Sequence, residues 1–379
     1  KKTGYPGEFA GAVEAASSTG GQIMPPIMGA AAFIMAEMTG YDYSDIIVRA
    51  ILPAFLYFLG IFLGVHFKAK KLGLVGLKRE ELPKWKLLLP KIYLLLPLIV
   101  LTWMVIAGQT MAKSAIYGTI VAIAVGIINK DDRMTPSKFV NGLENGGKNC
   151  LSIGIACGIA GIISVCITMT GLGGKLITYV VKLSNGHLFI ALFLTMICCI
   201  ILGMGVPTTA NYIIMASTCA PILINGMGMH ILAANMFVFY FGIVADITPP
   251  VALAAYAGAA IAKAPPMKTA LNATRLAIAA FIIPYIFAYN NAMIFVGDVT
   301  FFGVASIVIS ATLGMASIAS GFMGYLIHDL KWYSRIALIA GGLLMVIPGT
   351  VTDLAGLAIL IVILLIQRAE NKKEKKAAV

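Results

Sequence analysis

The sequence predicts an all-α polytopic membrane protein, because the chain is too apolar for a soluble domain and its apolar runs are long enough to cross a bilayer. Of its 379 residues, 60% are hydrophobic and 12% are charged. Several runs reach the roughly 20 residues that a helix needs to cross the hydrocarbon core. Lysines and arginines cluster in loops and in the C-terminal tail, as they do on the cytoplasmic side of membrane proteins. The net charge of +12 therefore indicates contact with a lipid bilayer and does not indicate a nucleic-acid partner.

The individual elements follow from the places where charged or turn-forming residues interrupt the apolar runs. The sequence predicts, in order, a broken helix 8–37, spans 46–67, 87–107, 111–128 and 150–168, a helix 171–184, a hairpin 187–224, a second broken helix 231–262, and spans 276–296, 301–327, 334–350 and 353–367. Lys175 and Lys182 share one face of the segment 171–184, which is typical of an amphipathic helix lying in the membrane interface.

Four regions follow from this order. Residues 1–67 form the C-terminal part of a first repeat, and 68–148 hold a basic cytoplasmic loop and scaffold helices. Residues 149–296 form a second repeat with the interfacial helix, the hairpin and the second broken helix, and 297–379 add further transmembrane helices and the basic tail. The excess of lysine and arginine in 68–91 and in the tail predicts that both lie in the cytoplasm.

The hairpin is predicted from the segment GMGVPTTAN, which places glycines, a proline, threonines and an asparagine at 203–211 within an apolar run. Polar, non-helical backbone at membrane depth occurs only where protein buries it or where it lines a watery site. This composition favours a re-entrant hairpin with its tip at 203–211. Two complete crossings remain an alternative, since both arrangements leave the later segments on the same sides of the membrane.

A double proline interrupts each of the two long apolar segments, at Pro25-Pro26 and at Pro249-Pro250. Proline inside a helix costs about 3 kcal/mol, so two such breaks require an explanation. When 1–36 is aligned with 225–260 the prolines coincide, and Gln22 meets Asp246. Loop charges predict opposite directions for the two segments, as in the inverted repeats of secondary transporters. The unwound stretches are predicted at 17–26 and 243–250, with Pro25 and Pro249 opening the second half-helices.

The candidate site residues lie at both breaks and at the hairpin tip. Free carbonyls at a helix break can hold Na⁺, and the N-terminus of the second half-helix can hold an anionic group. The predicted ion- or substrate-binding residues are Ser17, Ser18, Thr19, Gly20, Gly21, Gln22, Gly203, Gly205, Pro207, Thr208, Thr209, Asn211, Asp246 and Thr248, with Glu14 as a candidate for coupling. The glycines are interpreted mainly as providers of backbone geometry.

Asp246 is the strongest single candidate, because an ionisable side chain inside a span costs at least about 2.5 kcal/mol and marks a functional site by default. Its alternative role is to cap the second half-helix. Asp353 is interpreted as interfacial, and Gly154, Gly158 and Gly161 are expected to allow close helix packing. The cysteines and histidines show no metal-ligand spacing, so no cofactor is predicted beyond Na⁺, or H⁺, as a coupling ion.

The three motifs STGGQIMPPIMGAAAF, GMGVPTTANYIIMA and ADITPPVALAAYAGAA resemble the large membrane subunit of tripartite ATP-independent periplasmic (TRAP) transporters, and most closely the fused permeases associated with TAXI-type binding proteins. The resemblance covers roughly residues 1–290. It implies an elevator-type importer in the cytoplasmic membrane of a bacterium or archaeon. Such an importer uses a Na⁺ gradient to take up an organic acid, typically a carboxylate, from an extracytoplasmic solute-binding protein.

Two expectations follow from this resemblance. The first hairpin and the small membrane subunit, or its fused N-terminal equivalent, are not found in the chain, so we expect a longer parent protein with an upstream hairpin whose tip is rich in Gly, Ser and Thr. A channel and an intramembrane enzyme remain as alternative functions. The enzyme is disfavoured because the sequence has no HExxH, GxSG or GxGD motif.

Overall fold

The computed structural model describes residues 3–26, 28–75, 85–129, 132–297, 299–346 and 349–377. The predicted loop residues Lys78, Arg79, Lys84 and Lys130 lie outside these ranges. Within them the regular structure is helical apart from one isolated bridge between Tyr325 and Asp329. Five helical segments are long and apolar enough to cross a membrane. The prediction of an all-α polytopic membrane protein is therefore confirmed.

The described residues form seventeen α-helices. They are α1 Gly7–Gly20, α2 Ala30–Thr39, α3 Tyr43–Lys71, α4 Trp85–Leu88, α5 Leu96–Ile106, α6 Met111–Ile128, α7 Pro136–Met169, α8 Leu172–Ser184, α9 Leu188–Gly203, α10 Thr208–Thr218, α11 Ile231–Ala245, α12 Leu253–Ala262, α13 Pro266–Leu276, α14 Ile278–Tyr289, α15 Phe301–Met323, α16 Trp332–Leu344 and α17 Thr350–Ala377. Tighter or wider turns occupy Leu89–Leu95, Ile222–Gly226 and Asn291–Ile294.

Helix α7 is much longer than the predicted span 150–168, because its polar first half is also helical. Its 34 residues extend about 51 Å, well beyond the hydrocarbon thickness of about 30 Å. An ion pair between Glu144 and Lys148, one turn apart, lies on the polar half. The packing predicted for Gly154, Gly158 and Gly161 is wrong for the described residues, since no heavy atom of another segment lies within 4 Å of where their Cβ atoms would be.

The predicted span 276–296 begins ten residues earlier, at Pro266 in α13, and its helical part ends at Tyr289. Proline suits a first helical position because its missing N–H would have no partner there. In α13 the residues Thr269, Ala270 and Ala273 are buried, whereas Lys268 and Arg275 are exposed. An apolar-run criterion misses this half of the span because one face of it is polar.

The two broken units run in opposite directions between the two ends of the bundle. At one end, called here the Lys71 end, the start of α1 meets the end of α3: the Tyr5 hydroxyl donates to the carbonyl of Val65, and the Lys68 ammonium lies over the Phe9 ring. At the opposite end, called the Arg49 end, Arg49 of α3 donates to the carbonyls of Ile294 and Phe295, which follow α14.

The start of α11 also lies at the Arg49 end, where the Tyr41 hydroxyl and His230 Nε2 are 3.3 Å apart. The chain from α1 to α2 therefore runs from the Lys71 end to the Arg49 end. The chain from α11 to α12 runs the other way, because α12 leads into α13 beside the start of α1. Helix α11 is the centre of the molecule, with fourteen of its fifteen residues buried, as expected for a helix that is apolar all round.

Helices α1 and α12 cross in direct backbone contact. A Cβ atom on Gly258 would lie 2.6 Å from the carbonyl oxygen of Gly11, and one on Gly11 would lie 2.8 Å from the carbonyl oxygen of Gly258. Small residues allow this kind of approach in membrane helix pairs. The contact joins the first half of one broken unit to the second half of the other.

The predicted interfacial segment forms α8, whose Lys175 and Lys182 are exposed while Val180 packs against Ala191 and Ile222. The C-terminal helices α15, α16 and α17 form a unit that is attached to α3 at the Lys71 end. There the Lys71 ammonium lies 3.3 Å from the Asp329 carboxylate. The side-chain oxygen of Gln367 accepts the backbone N–H groups of Ile327 and His328, which ties α17 to the turn before α16.

Asp353, interpreted as interfacial, is the fourth residue of the candidate span Thr350–Glu370 and lies beside the interior of α15. Helix α16 has only 13 residues, about 20 Å in length, so the turn into α17 stops short of the Arg49 end. The Ser310 hydroxyl contacts both the Met345 carbonyl and the Asp353 carboxyl. Ser310 lies nine residues from one end of α15 and thirteen from the other, about 13 Å and 20 Å along the helix. The Asp353 carboxyl is therefore at membrane depth.

We expect Gly258→Ala to lower the midpoint of thermal unfolding, because the new methyl group would collide with the Gly11 carbonyl and overpacking costs about 1–3 kcal/mol. Gly154→Ala is the matched control, since its Cβ meets open space and alanine stabilises a helix interior by about 0.5–1 kcal/mol relative to glycine. Equal midpoints for the two variants would contradict a backbone contact between α1 and α12.

We expect the stability of the protein to fall as the pH drops below about 6.5, because of His230. Its Nδ1 accepts the N–H of Leu232 at 3.3 Å and so caps α11, which requires the neutral imidazole. Burial, and then the Arg49 guanidinium, lower the pKa of His230 below 6.5. The unfolded chain therefore binds a proton at a pH where the folded chain does not, and stability is lost as pH falls through this range.

This loss is measured from unfolding midpoints between pH 8 and pH 5. The variant His230→Asn keeps a capping acceptor without a titrating ring and should flatten the profile. His187→Asn should keep the wild-type profile, since His187 precedes α9 without a capping bond from its side chain. A profile for His230→Asn that is parallel to that of the wild type would contradict the role of His230.

Candidate functional site at the helix breaks

The two helix breaks have the same backbone hydrogen bonds, at positions 224 residues apart. Where α1 ends, the N–H groups of Gln22 and Ile23 bond to Thr19 and Gly20 at 3.2 and 3.1 Å. Where α11 ends, Asp246 and Ile247 bond to Ile243 and Val244 at the same two distances. Both proline pairs contain a cis peptide bond. The breaks predicted from the double prolines are therefore equivalent structures.

Each break is closed by one further bond from the second half-helix. The carbonyl of Gln22 accepts the N–H of Gly29 at 3.1 Å, and the carbonyl of Asp246 accepts the N–H of Ala254 at 2.9 Å. The polar residue before each proline pair thus occupies the same position in both loops. Its main chain holds the half-helices together, which leaves its side chain available for another role.

The breaks lie later in the chain than the sequence predicts. Helix α1 continues to Gly20, so Ser17, Ser18, Thr19 and Gly20 form its last turn, and the described unwound residues are 21–26 and 28–29. Helix α11 continues to Ala245, and the second unwound stretch is 246–252. The prolines do not open the second half-helices, which begin at Ala30 and Leu253. The extra residues lie within the loops that the bonds to the Gln22 and Asp246 carbonyls close.

Side chains that the sequence analysis did not single out hold the unwound backbone. The hydroxyl of Tyr43 donates to the Pro26 carbonyl at 3.0 Å, and that of Tyr256 donates to the Pro250 carbonyl at 2.5 Å. Thr274 of α13 contacts the Ile247 carbonyl, and Tyr57 donates to Ala16 at 2.7 Å, one turn before the first break. These residues do not recur at the repeat offset of 224, so the internal alignment contained no signal for them.

The hairpin tip packs against the second break. A Cβ atom on Gly203 would lie 2.9 Å from the Cβ of Ala245, and one on Gly205 would lie 3.9 Å from the side chain of Val251. The side chain of Asn211 is fully buried, and its amide group donates to the Gly242 carbonyl at 3.0 Å. The hairpin begins and ends toward the Arg49 end, where Phe189 contacts Tyr285 and the chain returns to His230. Both ends of the hairpin therefore lie on one side of its tip, which packs against the second break.

The non-helical part of the tip is shorter than predicted and covers only 204–207. Helix α9 ends at Gly203, Gly205 has φ +76°, and Pro207 immediately precedes α10. Thr208, Thr209 and Asn211 lie in the first turn of α10. The N-terminus of α10, which is the positive end of its helix dipole, therefore lies at the tip, beside the second break.

Of the acidic candidates, Asp246 lies in the second break and Glu14 lies on α1. Asp246 is half-buried, and its carboxylate has no hydrogen-bonding or ionic partner among the described residues. The Thr248 hydroxyl is bonded to the Val244 carbonyl at 2.7 Å, which suits a capping role. Glu14 is exposed and accepts a hydrogen bond from the Ser18 hydroxyl at 3.2 Å.

The first break borders a cavity of about 640 Å³ between the α2–α3 region and the α5–α6 hairpin. Gly21, Gln22 and Gly29 line it, together with Tyr43 and Ser114. Within the described residues, the buried side-chain oxygens of Gln22 and Asn211 have no hydrogen-bond partner. Each break is thus accompanied by one buried amide oxygen that is able to accept a ligand.

Both breaks lie on the Arg49 side of the contact between α1 and α12. Gly11 faces Gly258, the two helices run in opposite directions, and Gly20 and Pro249 each lie nine residues from this contact. Helix α2 packs against α10 and α11, which connects the second half of the first unit to the hairpin. The structure therefore gathers the predicted site residues into one layer across the middle of the bundle.

The comparison with known families is consistent with this layer. The family model of the tripartite ATP-independent periplasmic transporter, DctM component, matches residues 1–302. The match includes both breaks, the hairpin and all of the candidate site residues. No match to an individual curated protein accompanies it. Because the match spans most of the chain, this protein belongs to the TRAP transporter family as a DctM-type membrane permease component.

Proposed function

We propose that the chain is the permease subunit of a secondary active importer, in which a cation gradient, with Na⁺ as the proposed ion, drives the uptake of an organic acid. The observation that carries this proposal is the pair of equivalent helix breaks in oppositely directed units, with the hairpin tip packed against the second break. Inverted repeats with discontinuous helices bind substrate and ions near the midplane.

A cation site is supported by the oxygen atoms of the layer. Na⁺ is a hard cation, which oxygen ligands suit. The buried oxygens of Asn211 and Gln22 have no donors among the described residues, and the Asp246 carboxylate adds a negative charge with no partner there. These groups fit a monovalent cation at each break, and the bound ion would supply the positive charge that offsets Asp246.

An anionic solute is supported by the N-termini that converge on the layer. Helices α2, α10 and α12 all begin beside a break or the tip, where free N–H groups and the helix dipole favour a carboxylate. Among the described residues, no lysine or arginine lines the cavity at the first break. The proposed site therefore holds the acid mainly through backbone groups and the bound cation.

The charge distribution supports an orientation in a bacterial or archaeal cytoplasmic membrane. The Lys71 end carries Lys68, Lys70, Lys71, Lys331 and Arg335, so we propose that it faces the cytoplasm together with the C-terminal tail. The Arg49 end then faces outward. In this orientation it receives the solute from a TAXI-type solute-binding protein, and a small membrane subunit or its fused equivalent completes the permease.

We further propose an elevator-type movement, in which the layer formed by the two breaks and the hairpin moves as one body. The backbone contact between Gly11 and Gly258 supports this idea, because it couples the two units directly. Helix α8 is proposed to lie in the membrane interface. Its apolar face packs on the hairpin base, and its lysines face away from it.

We expect uptake by the complete system, with its binding protein, to follow an imposed Na⁺ gradient. The test is solute accumulation in proteoliposomes in which Na⁺ and H⁺ gradients are imposed separately. Accumulation under a Na⁺ gradient alone supports the proposal. Accumulation under an H⁺ gradient alone would replace Na⁺ by H⁺, and dependence on neither gradient would overturn the coupling.

We expect Asp246→Asn to raise the Na⁺ concentration needed for half-maximal uptake at least tenfold, because the substitution removes the unpaired charge beside the proposed ion. A tenfold change corresponds to about 1.4 kcal/mol of binding free energy. Asp329→Asn is the matched control, since Asp329 is an exposed carboxylate paired with Lys71. Wild-type Na⁺ dependence in Asp246→Asn would remove Asp246 from the site.

A further inference from the structure

Asp353 lies at membrane depth outside the layer of the two helix breaks, and two cavities meet at its carboxyl. One has a volume of about 260 Å³ and the other of about 370 Å³, and both are lined by Ser306, Ser310, Met345 and Asp353. Asn290 and Thr350 add further oxygen atoms to the smaller cavity. The carboxyl therefore lies among oxygen atoms within the C-terminal unit, where part of the surroundings is open space.

Among the described residues, those that line the two cavities beside Asp353 carry no positive charge. Helix α14 and the residue after it contribute Ile286 and Asn290, and α15 contributes its serines. The turn after α16 contributes Met345 and Val346, and α17 contributes Thr350 and leucines. None of the described residues that line either cavity is titratable, apart from Asp353 itself. An ionised carboxylate at this depth costs at least about 2.5 kcal/mol when nothing compensates it.

The hydrogen bonds at Ser310 indicate the same lack of a positive charge beside Asp353. Its hydroxyl oxygen lies 2.5 Å from the Asp353 carboxyl and 2.9 Å from the Met345 carbonyl. A serine hydroxyl has a single hydrogen, whereas a carbonyl and an ionised carboxylate can only accept. One hydrogen cannot serve both contacts fully. The cluster is complete when a cation, whether a proton on the carboxyl or a metal ion beside it, supplies the missing positive charge.

We propose that Asp353 and Ser310 form a binding site for one monovalent cation, H⁺ or Na⁺, separate from the ions at the helix breaks. Asp353 neutralises the cation, and Ser310 and the Met345 carbonyl orient the carboxyl. In the case of H⁺, a hydronium ion transfers its proton to the carboxylate and leaves as water, and the resulting carboxyl O–H donates to Ser310 while Ser310 donates to the Met345 carbonyl. The site does not depend on the proposed transport function.

The test is infrared difference spectroscopy of the purified full chain, recorded between pH 8 and pH 5 and between Na⁺ and choline at constant pH. We expect one carboxyl band to appear in one of the two difference spectra of the wild type and to be absent from Asp353→Asn. A band in the pH spectrum identifies H⁺, and a band in the Na⁺ spectrum identifies Na⁺. Asp246→Asn is the matched control and should retain this band.

Ser310→Ala provides an independent check, because it leaves the carboxyl in place and removes one hydrogen-bond partner. The assigned band should remain and change its frequency. The proposal is overturned if both difference spectra of Asp353→Asn superimpose on those of the wild type. It is equally overturned, even where Asp353→Asn does not fold, if both spectra of Ser310→Ala superimpose on those of the wild type.

Discussion

The structure depends on one constraint: a helix interrupted inside a membrane must find new partners for its backbone groups. Water is not available there, and each unpaired group costs several kcal/mol. This protein meets the constraint twice in the same way, by bonding the carbonyl of Gln22 or Asp246 to the start of the following half-helix. Each break is therefore a closed loop, which explains why it is stable without a continuous helix around it.

The packing of the bundle follows from these closed loops. Because the half-helices are short, neighbouring elements must approach closely enough to supply the remaining partners. The hydroxyl groups of Tyr43 and Tyr256 donate hydrogen bonds to carbonyls of the unwound stretches, and the hydroxyl of Thr274 does so from α13. The close contact of Gly11 with Gly258 brings the two units together at the required depth. The break geometry and the helix contacts are thus parts of one arrangement.

Polar side-chain atoms near the breaks that have no hydrogen-bond partner indicate where a ligand could bind. Most polar side chains near the breaks are bonded to backbone, and Thr248 is one example. Those of Gln22 and Asn211 keep a buried oxygen without a donor among the described residues, and Asp246 keeps an unpaired carboxylate there. Buried polar groups are normally satisfied, so these oxygens beside the breaks are available to a ligand. Thr195, Tyr240, Asn291 and Ser317 also keep a buried oxygen without a partner among the described residues. Asp353 is an exception of a different kind, located in the C-terminal unit.

The sequence by itself determined the class of the protein, the two helix breaks, the hairpin, the amphipathic helix α8 and the opposite directions of the two units. These features are local or periodic: an apolar run, a double proline, a polar tip or a repeat offset can be read without knowing any contact. The sequence also placed the candidate residues at the breaks and the hairpin tip, and their binding role stays a prediction.

Only the tertiary structure decided which side chains meet. Asn211 became distinct from Thr208 and Thr209 because its amide reaches Gly242, 31 residues away. Asp353 was interpreted from the sequence as interfacial, and its position became defined by its contact with Ser310, 43 residues earlier in the chain. The glycines of α7 were predicted to pack and face open space, whereas Gly11 and Gly258 carry the contact. Such pairings join residues far apart in the chain, and no local pattern encodes which helix will lie opposite which.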